Sequence, residues 1–375
     1  MTSSPQPHRT GSAAPQSAVI LGSGLMGRLL AVQLARLDWR CELHDAAGPD
    51  ADGAAARVAA AMLAPLAESA ITEPVVVRMG VHALGRWPEL LAQLSQPVFF
   101  QQQGTLVVWH RQDAPEAARF LRQVETTTRG IDGLAAIEQA GAARIAALEP
   151  SLAGRFPQAL YLPGEGQLDN RQLLAALLHE LQALNVPMHW NSPKETGDFR
   201  AGEAGQPQWV IDCRGLGARN AWPHARGGTA LRGVRGEVAR VHAPEVTLSR
   251  PTRLMHPRYP IYIAPKEDHL FVIGATEIES DDMSPASVRS TLELLSAAYT
   301  VHSGFAEARI LEVATQCRPA LPDNLPAIHQ SAPGVLHING LYRHGFMIAP
   351  TMLDAALPLL THGDDTVARQ FDLLK

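Results

Sequence analysis

Gly22-Ser23-Gly24-Leu25-Met26-Gly27 follows an apolar run, residues 17–21, and leads into an amphipathic stretch, residues 29–37. Glycines at that spacing between a strand and a helix suit a dinucleotide: the first allows a tight turn, the second lets a pyrophosphate approach the backbone, and the third lets helix and strand pack closely. Asp45 stands 18 residues after Gly27, at the end of a second extended run, residues 40–44. A carboxylate there accepts hydrogen bonds from ribose hydroxyls. The fingerprint by itself does not choose between NAD and FAD.

The second chemical feature is arginine. Of 32 basic residues only Lys194, Lys266 and Lys375 are lysine, which leaves 29 arginines. A planar guanidinium grips a carboxylate through two parallel charge-assisted hydrogen bonds, which lysine cannot do. Most arginines in such a composition are solvated charges or surface ion partners, so a motif must single out any with a role in a site. Three cysteines at wide spacing, Cys41, Cys213 and Cys317, carry no C-x-x-C, and the fifteen histidines show no H-x-x-x-H, so no metal site and no disulfide framework is expected.

These residues must be positioned by a chain of 375 residues, long enough for two domains or one large one. Hydrophobic residues at 46% and charged ones at 18% exclude bulk disorder, and a net charge of -5 excludes a general attraction to nucleic acid or anionic membranes. Residues 1–16 read as a flexible tail. Arg28, Gln33 and Arg36 interrupt the apolar stretch 18–37, and no uncharged run is long enough for a membrane helix, so a reducing cytoplasm is the expected location.

The opening reads as a βαβ unit whose helix ends near Asp38, a residue that tolerates a left-handed conformation. Residues 54–70 read as an alanine-rich loop running into a helix, 71–94 as a helix broken at Pro74, 103–108 as a strand, and 115–149 as helical. Residues 161–170 read as a loop in which Asp169 caps a helix over 171–184. After a strand at 209–213, residues 231–276 alternate as short antiparallel strands. Helix 284–298, strands 308–314 and 335–339, and a last helix over 351–360 follow.

The segments AAAMLAPLAE (59–68), GTLVV (104–108), LEPSL (148–152), ALYLPGEGQLDNRQLLAAL (159–177), RGEV (235–238), YIAP (262–265), VIGATEIE (272–279), CRPALPDNLPAI (317–328) and GLYRHGFMIAP (340–350) resemble, in order, the glycine oxidase family associated with thiamine biosynthesis. That family lies within the FAD-dependent D-amino-acid oxidase group. The resemblance implies an α+β/α/β fold, with a Rossmann-like FAD-binding domain and a second, antiparallel-sheet substrate domain. It assigns 17–90, 150–230 and 318–375 to the FAD-binding domain, and 91–149 and 231–317 to the substrate-binding domain.

It further implies FAD held non-covalently by Gly22, Gly24, Leu25, Met26, Gly27, Asp45, Ala61, Met62, Gly340, Leu341, Tyr342, His344, Gly345, Phe346 and Met347. A helix N-terminus near the flavin's N1 and C2 oxygen would stabilise negative charge arising on reduction. Arg318 matches the family arginine that forks onto the substrate carboxylate, Arg343 a second arginine near the same pocket, and Tyr262 a tyrosine whose hydroxyl touches that carboxylate. Glu277 falls where the family lines the pocket, in place of an apolar side chain; Leu341 and His344 stand where the family more often has His and Asn, and Asp38 where it has Gly.

The implied reaction is hydride transfer from the α-carbon of glycine or another small amine-bearing acid to the flavin, then reoxidation by molecular oxygen to hydrogen peroxide and hydrolysis of the imine. No general base is needed if the amine binds neutral, so no catalytic side chain is assigned. The expected partners are a small amino-acid substrate, oxygen and, as in the family, other copies of the chain. Alternatives are a dehydrogenase with a non-oxygen acceptor and a flavin-binding protein without turnover.

Overall fold

The structure is a computed structural model describing residues 16–222 and 231–375. The expected tail thus lies outside the described residues except for Gln16. SAVIL is apolar after its first residue, the pattern of a strand covered on both faces. Ser17–Leu21 accordingly takes a central place in a six-stranded sheet, ordered Ala327–Ala332, Val335–Asn339, Trp209–Asp212, Ser17–Leu21, Arg40–His44, Met188–His189. Its neighbours pair in parallel, except at the Ala327–Ala332 edge. Helices Leu25–Arg36, Pro74–Ala92, Asn170–Ala183 and Gly345–His362 share one apolar core with it through Leu29, Trp87, Leu173 and Met352. Asp38 follows the first helix at φ +61°, as expected of a short polar residue.

A second sheet has eight strands, ordered Arg309–Ala320, Arg232–His242, Leu270–Gly274, Ile261–Pro265, Thr252–Met255, Thr105–Trp109, Gln158–Leu162 and Glu138–Gly141. It is antiparallel apart from one parallel pairing, Thr252–Met255 with Thr105–Trp109. A three-stranded sheet of Met62–Leu63, Gly166–Leu168 and Phe100–Gln101 also forms. Buried Lys266 at the end of Ile261–Pro265 ties it to the larger sheet, donating to the carbonyls of Ala60 (2.9 Å) and Leu168 (2.7 Å) and to Gln167 Oε1 (3.2 Å). Burial pushes the Lys266 ammonium down to about 7.

Several expectations need correction. Residues 115–149 are not one helical region: helix Ala114–Thr127 is followed by strand Glu138–Gly141 and helix Ala142–Leu148, because the extended segment pairs with Gln158–Leu162. The expected loop 161–170 contains strand Gly166–Leu168, although Asp169 caps the next helix as anticipated, accepting from the N–H groups of Arg171 (2.8 Å) and Gln172 (2.9 Å). The last long helix starts at Gly345, not 351. Gln158–Leu162 pairs with Thr105–Trp109 in the larger sheet. No helix among the described residues is long and apolar enough to cross a membrane.

Candidate active site

A cavity of about 1330 Å³ runs between the two main sheets, from Gly22, Gly24 and Asp45 at one end to Tyr262, Glu277 and Arg318 at the other. The three fingerprint glycines differ in what the protein demands of them. Gly22 has φ +94°, and a Cβ there would lie 2.7 Å from the Cys213 carbonyl; at Gly27 it would lie 1.8 Å from the Gly22 carbonyl. Those two are required by the turn and by helix packing. At Gly24 the nearest protein atom to an added Cβ is Ala54 Cβ at 3.6 Å, so protein packing leaves room there. Gly24 is the N-cap of Leu25–Arg36, no side chain caps that end, and it opens on the cavity. Uncapped N–H groups beside an open space form a cradle for a pyrophosphate, so the residues present fit a dinucleotide.

Gly24→Ala therefore separates fold from ligand. The apoprotein should keep its melting temperature, because the new methyl meets no protein atom closely. FAD affinity should fall at least about tenfold by fluorescence titration, roughly 1.4 kcal/mol.

The loop is pinned by Arg28, which the sequence showed only as an interruption of an apolar stretch. It is buried, and its guanidinium donates to the Ser23 carbonyl (2.8 Å), Ser23 Oγ (3.0 Å), the Leu174 carbonyl (2.7 Å) and the Pro49 carbonyl (2.5 Å). Burial lowers it to about 10, so it stays cationic at neutral pH. Asp45 accepts the backbone N–H groups of Ser23 (2.5 Å) and Ala47 (2.7 Å) and lines the cavity. Nearby, Glu42, His44 and His189 converge on the sheet edge. The two imidazoles stack at 4.4 Å with planes 15° apart, and Glu42 Oε1 bridges them, 2.7 Å from His44 Nε2 and 3.0 Å from His189 Nε2.

At the far end, Arg318 on strand Arg309–Ala320 lies flat over Gly236 of the neighbouring strand, where a Cβ would sit 2.4 Å from Nη2. Its guanidinium donates only to carbonyl oxygens, of Arg235 (3.3 Å) and Thr276 (3.2 Å), and has no carboxylate partner among the described residues. Tyr262 packs in the same way over its register partner Gly274, where a Cβ would lie 2.5 Å from the hydroxyl. Burial raises the phenol above its ordinary value, and its hydroxyl makes no hydrogen bond among the described residues. Two glycines thus flatten the sheet where two donors face the cavity. In Gly236→Ala the displaced group is the end of a flexible side chain, so stability should change little, while KM for a carboxylate substrate should rise roughly tenfold or more in steady-state assays.

Arg343 is placed differently from Arg318. Its Nε lies 3.0 Å from Glu68 and its Nη1 2.6 Å from Glu277, so both its edges already face carboxylates. Arg343 thus lies at the pocket, as the resemblance implies, with its guanidinium already paired. Glu68 also receives Arg253 (2.5 Å) and faces His344 Nε2 (3.3 Å). Burial alone would raise the Glu68 carboxyl, but Arg343, Arg253 and His344 hold it well below its ordinary value, while burial lowers the His344 imidazole. Glu277 lines the cavity with its carboxylate held by Arg343 and the Tyr342 hydroxyl (2.7 Å).

Of the expected cofactor contacts, Gly22, Gly24, Leu25, Met26, Asp45, Ala61, Met62, Leu341, His344, Gly345, Phe346 and Met347 line the cavity. Gly27, Gly340 and Tyr342 stand behind its wall and shape it. At Gly340 (φ +76°) a Cβ would lie 2.8 Å from Leu321 and the Leu325 carbonyl, and Tyr342 takes a left-handed φ of +49°. Cys317 is buried with its thiol toward the Ser280 carbonyl (3.5 Å). Sequence reasoning missed Arg28, Glu68, Arg253, Gly236 and Gly274. The usable signal was a lone acid or base inside an apolar segment, as at Glu68 in MLAPLAE and Arg28 in the first helix.

Residues 17–352 match the family model described as FAD dependent oxidoreductase, DAO. The chain is 41% identical over 344 residues to the thiamine biosynthesis oxidoreductase ThiO named in Rhizobium etli, covering 92% of this chain and 96% of that one. It is 26% identical to the glycine oxidase of Geobacillus kaustophilus, covering 88% and 89%. The crystal structure of that enzyme superposes with a TM-score of 0.75 over 94% of this chain and 95% of its own, at 23% identity. Iminodiacetate oxidase of Chelativorans sp. BNC1 also gives 0.75, over 95% and 99%, at 20% identity. At those identities the structures speak for the fold.

Proposed function

The chain belongs to the FAD-dependent oxidoreductase (DAO) family, and from that premise we propose that it oxidises glycine or a similarly small amine-bearing monocarboxylate, with oxygen as electron acceptor and hydrogen peroxide and the imine as products. The observation that carries this reading is Arg318: a cavity-facing guanidinium without a carboxylate partner among the described residues, beside a tyrosine hydroxyl with a free donor. A substrate carboxylate completes both through charge-assisted hydrogen bonds.

When bound, FAD would supply the hydride acceptor for the substrate's α-carbon. Gly22, Gly24 and the N-terminus of Leu25–Arg36 would hold its pyrophosphate, Asp45 its ribose, and Ala61 and Met62 would lie beside its ring. The N-terminus of Gly345–His362, also at the cavity, favours negative charge developing there. Arg318 and Tyr262 orient the substrate. We assign no general base, because a neutral amine needs none. The name of the Rhizobium etli relative supports a role in thiamine biosynthesis.

The test is an amino-acid panel scored by anaerobic bleaching of the flavin, followed by readmission of air. Bleaching by glycine or sarcosine with stoichiometric peroxide on adding air is the expected result. Bleaching without peroxide would make the enzyme a dehydrogenase, and no bleaching by any small amino acid would sink the assignment.

A further inference from the structure

Among the charged groups at the substrate end of the cavity are Arg253, Arg318 and Arg343 with Glu68 and Glu277, and their pairing is uneven. Arg253 meets Glu68 at 2.5 Å. Arg343 meets Glu68 through Nε (3.0 Å) and Glu277 through Nη1 (2.6 Å), while Arg318 meets only carbonyl oxygens. His344, buried against Glu68, is held toward its neutral form by burial. Of these three arginines, Arg318 alone has no carboxylate partner among the described residues. The other place where a carboxylate could sit, Nη1 of Arg343, is filled from within the chain.

The Glu277 carboxylate is well placed to fill it permanently. It lies one residue after Thr276, whose carbonyl holds the Arg318 guanidinium, and its second oxygen accepts the Tyr342 hydroxyl at 2.7 Å. That phenol, pushed up to about 12 by burial and by the Glu277 bond, stays a donor across the working pH range. At 48% exposure the Glu277 side chain still presents its charge to the cavity.

Building on the reading of the site as an amine-acid oxidase, we propose that Glu277 is a specificity residue: it stands in for a second substrate carboxylate at Arg343, so the site takes amines bearing one carboxylate and rejects those bearing two. A dicarboxylate would bring its second anion against Glu277 and find Arg343 already neutralised. Like charges at short range in a partly desolvated wall make that an effective rejection device.

Sarcosine and iminodiacetate test this, because both are secondary amines on the same glycyl carboxylate and differ in an N-methyl against an N-carboxymethyl group. In the FAD-loaded enzyme, the iminodiacetate-to-sarcosine ratio of kcat/KM should rise at least about tenfold in Glu277→Ala, which vacates Arg343. It should rise less in Glu277→Gln, which removes the repelling charge but still occupies the arginine. An unchanged ratio in both variants overturns the proposal. Two non-reacting acids, glycolate with one carboxylate and malonate with two, separate this from failure of the functional reading. If glycolate does not perturb the wild-type flavin spectrum, the reading of Arg318 falls and Glu277 with it. If glycolate binds wild type but malonate gains no affinity in Glu277→Ala, the Glu277 assignment alone is wrong.

Discussion

Arg318→Ala is expected to lower kcat/KM for a small amino acid by roughly a hundredfold or more, and to weaken glycolate binding by a similar factor. The reasoning starts from partners. Arg318 has no carboxylate of the described chain to release, so binding a substrate carboxylate there breaks no internal ion pair. Truncating one member of a desolvated, hydrogen-bonded charge pair costs about 2–5 kcal/mol, and 1.4 kcal/mol is a factor of ten. The loss should fall on KM and on inhibitor affinity, with the fold intact, since the side chain supports only two carbonyl groups. Arg318→Lys should recover only part of the loss, because an ammonium cannot fork onto a planar carboxylate. Unchanged glycolate affinity in Arg318→Ala would place the substrate anion elsewhere.

Glu68→Gln should be the most destabilising single change at the site. Glu68 is the shared anion of Arg253 and Arg343, with side-chain exposures of 10%, 13% and 24% for the three. Removing this anion leaves Arg253 without a carboxylate and Arg343 with Glu277 alone, and breaking such a largely buried pair costs about 3–5 kcal/mol. For a chain this long that is a fall of roughly 4–6 °C in melting temperature. The pH dependence identifies the cause. The folded carboxyl lies well below its ordinary value of 4.5, so its stabilisation is fully present above about pH 5 and is lost as pH falls through the folded value. The gap between wild type and Glu68→Gln should therefore be constant near neutrality and close in acid. Adding Arg253→Met to Glu68→Gln should restore part of the stability, because it removes one unpaired charge. A gap that stays constant down to pH 3 would mean lost packing instead of lost charge.

Much of the architecture was legible because it rests on short-range rules. The strand-glycine-helix opening, the left-handed Asp38 and the Asp169 cap each depend on residues within a turn or two of one another. Glu138–Gly141 was read as helix because its alanine-rich surroundings favour helix, whereas pairing with Gln158–Leu162 decides its conformation. The start of the last helix was misplaced because Gly345 and Pro350 look like helix breakers, yet both are accommodated within it.

The site divides along the same line. Residue type and spacing marked Gly22 to Gly27 and Asp45, resemblance to the family marked Tyr262, Glu277, Arg318 and Arg343, and the fold brings residues from all these segments to one cavity or its wall. What the order of residues could not convey is which arginine is free. Arg318 and Arg343 carry the same group, but Arg343 is neutralised by Glu277, 66 positions away in the chain, and by Glu68, which also pairs with Arg253 across 185 positions. Backbone turns are set by neighbours along the chain, so the sequence alone determined them; charge balance is set by neighbours in space, so only the tertiary structure decided that Arg318 is left without an anion.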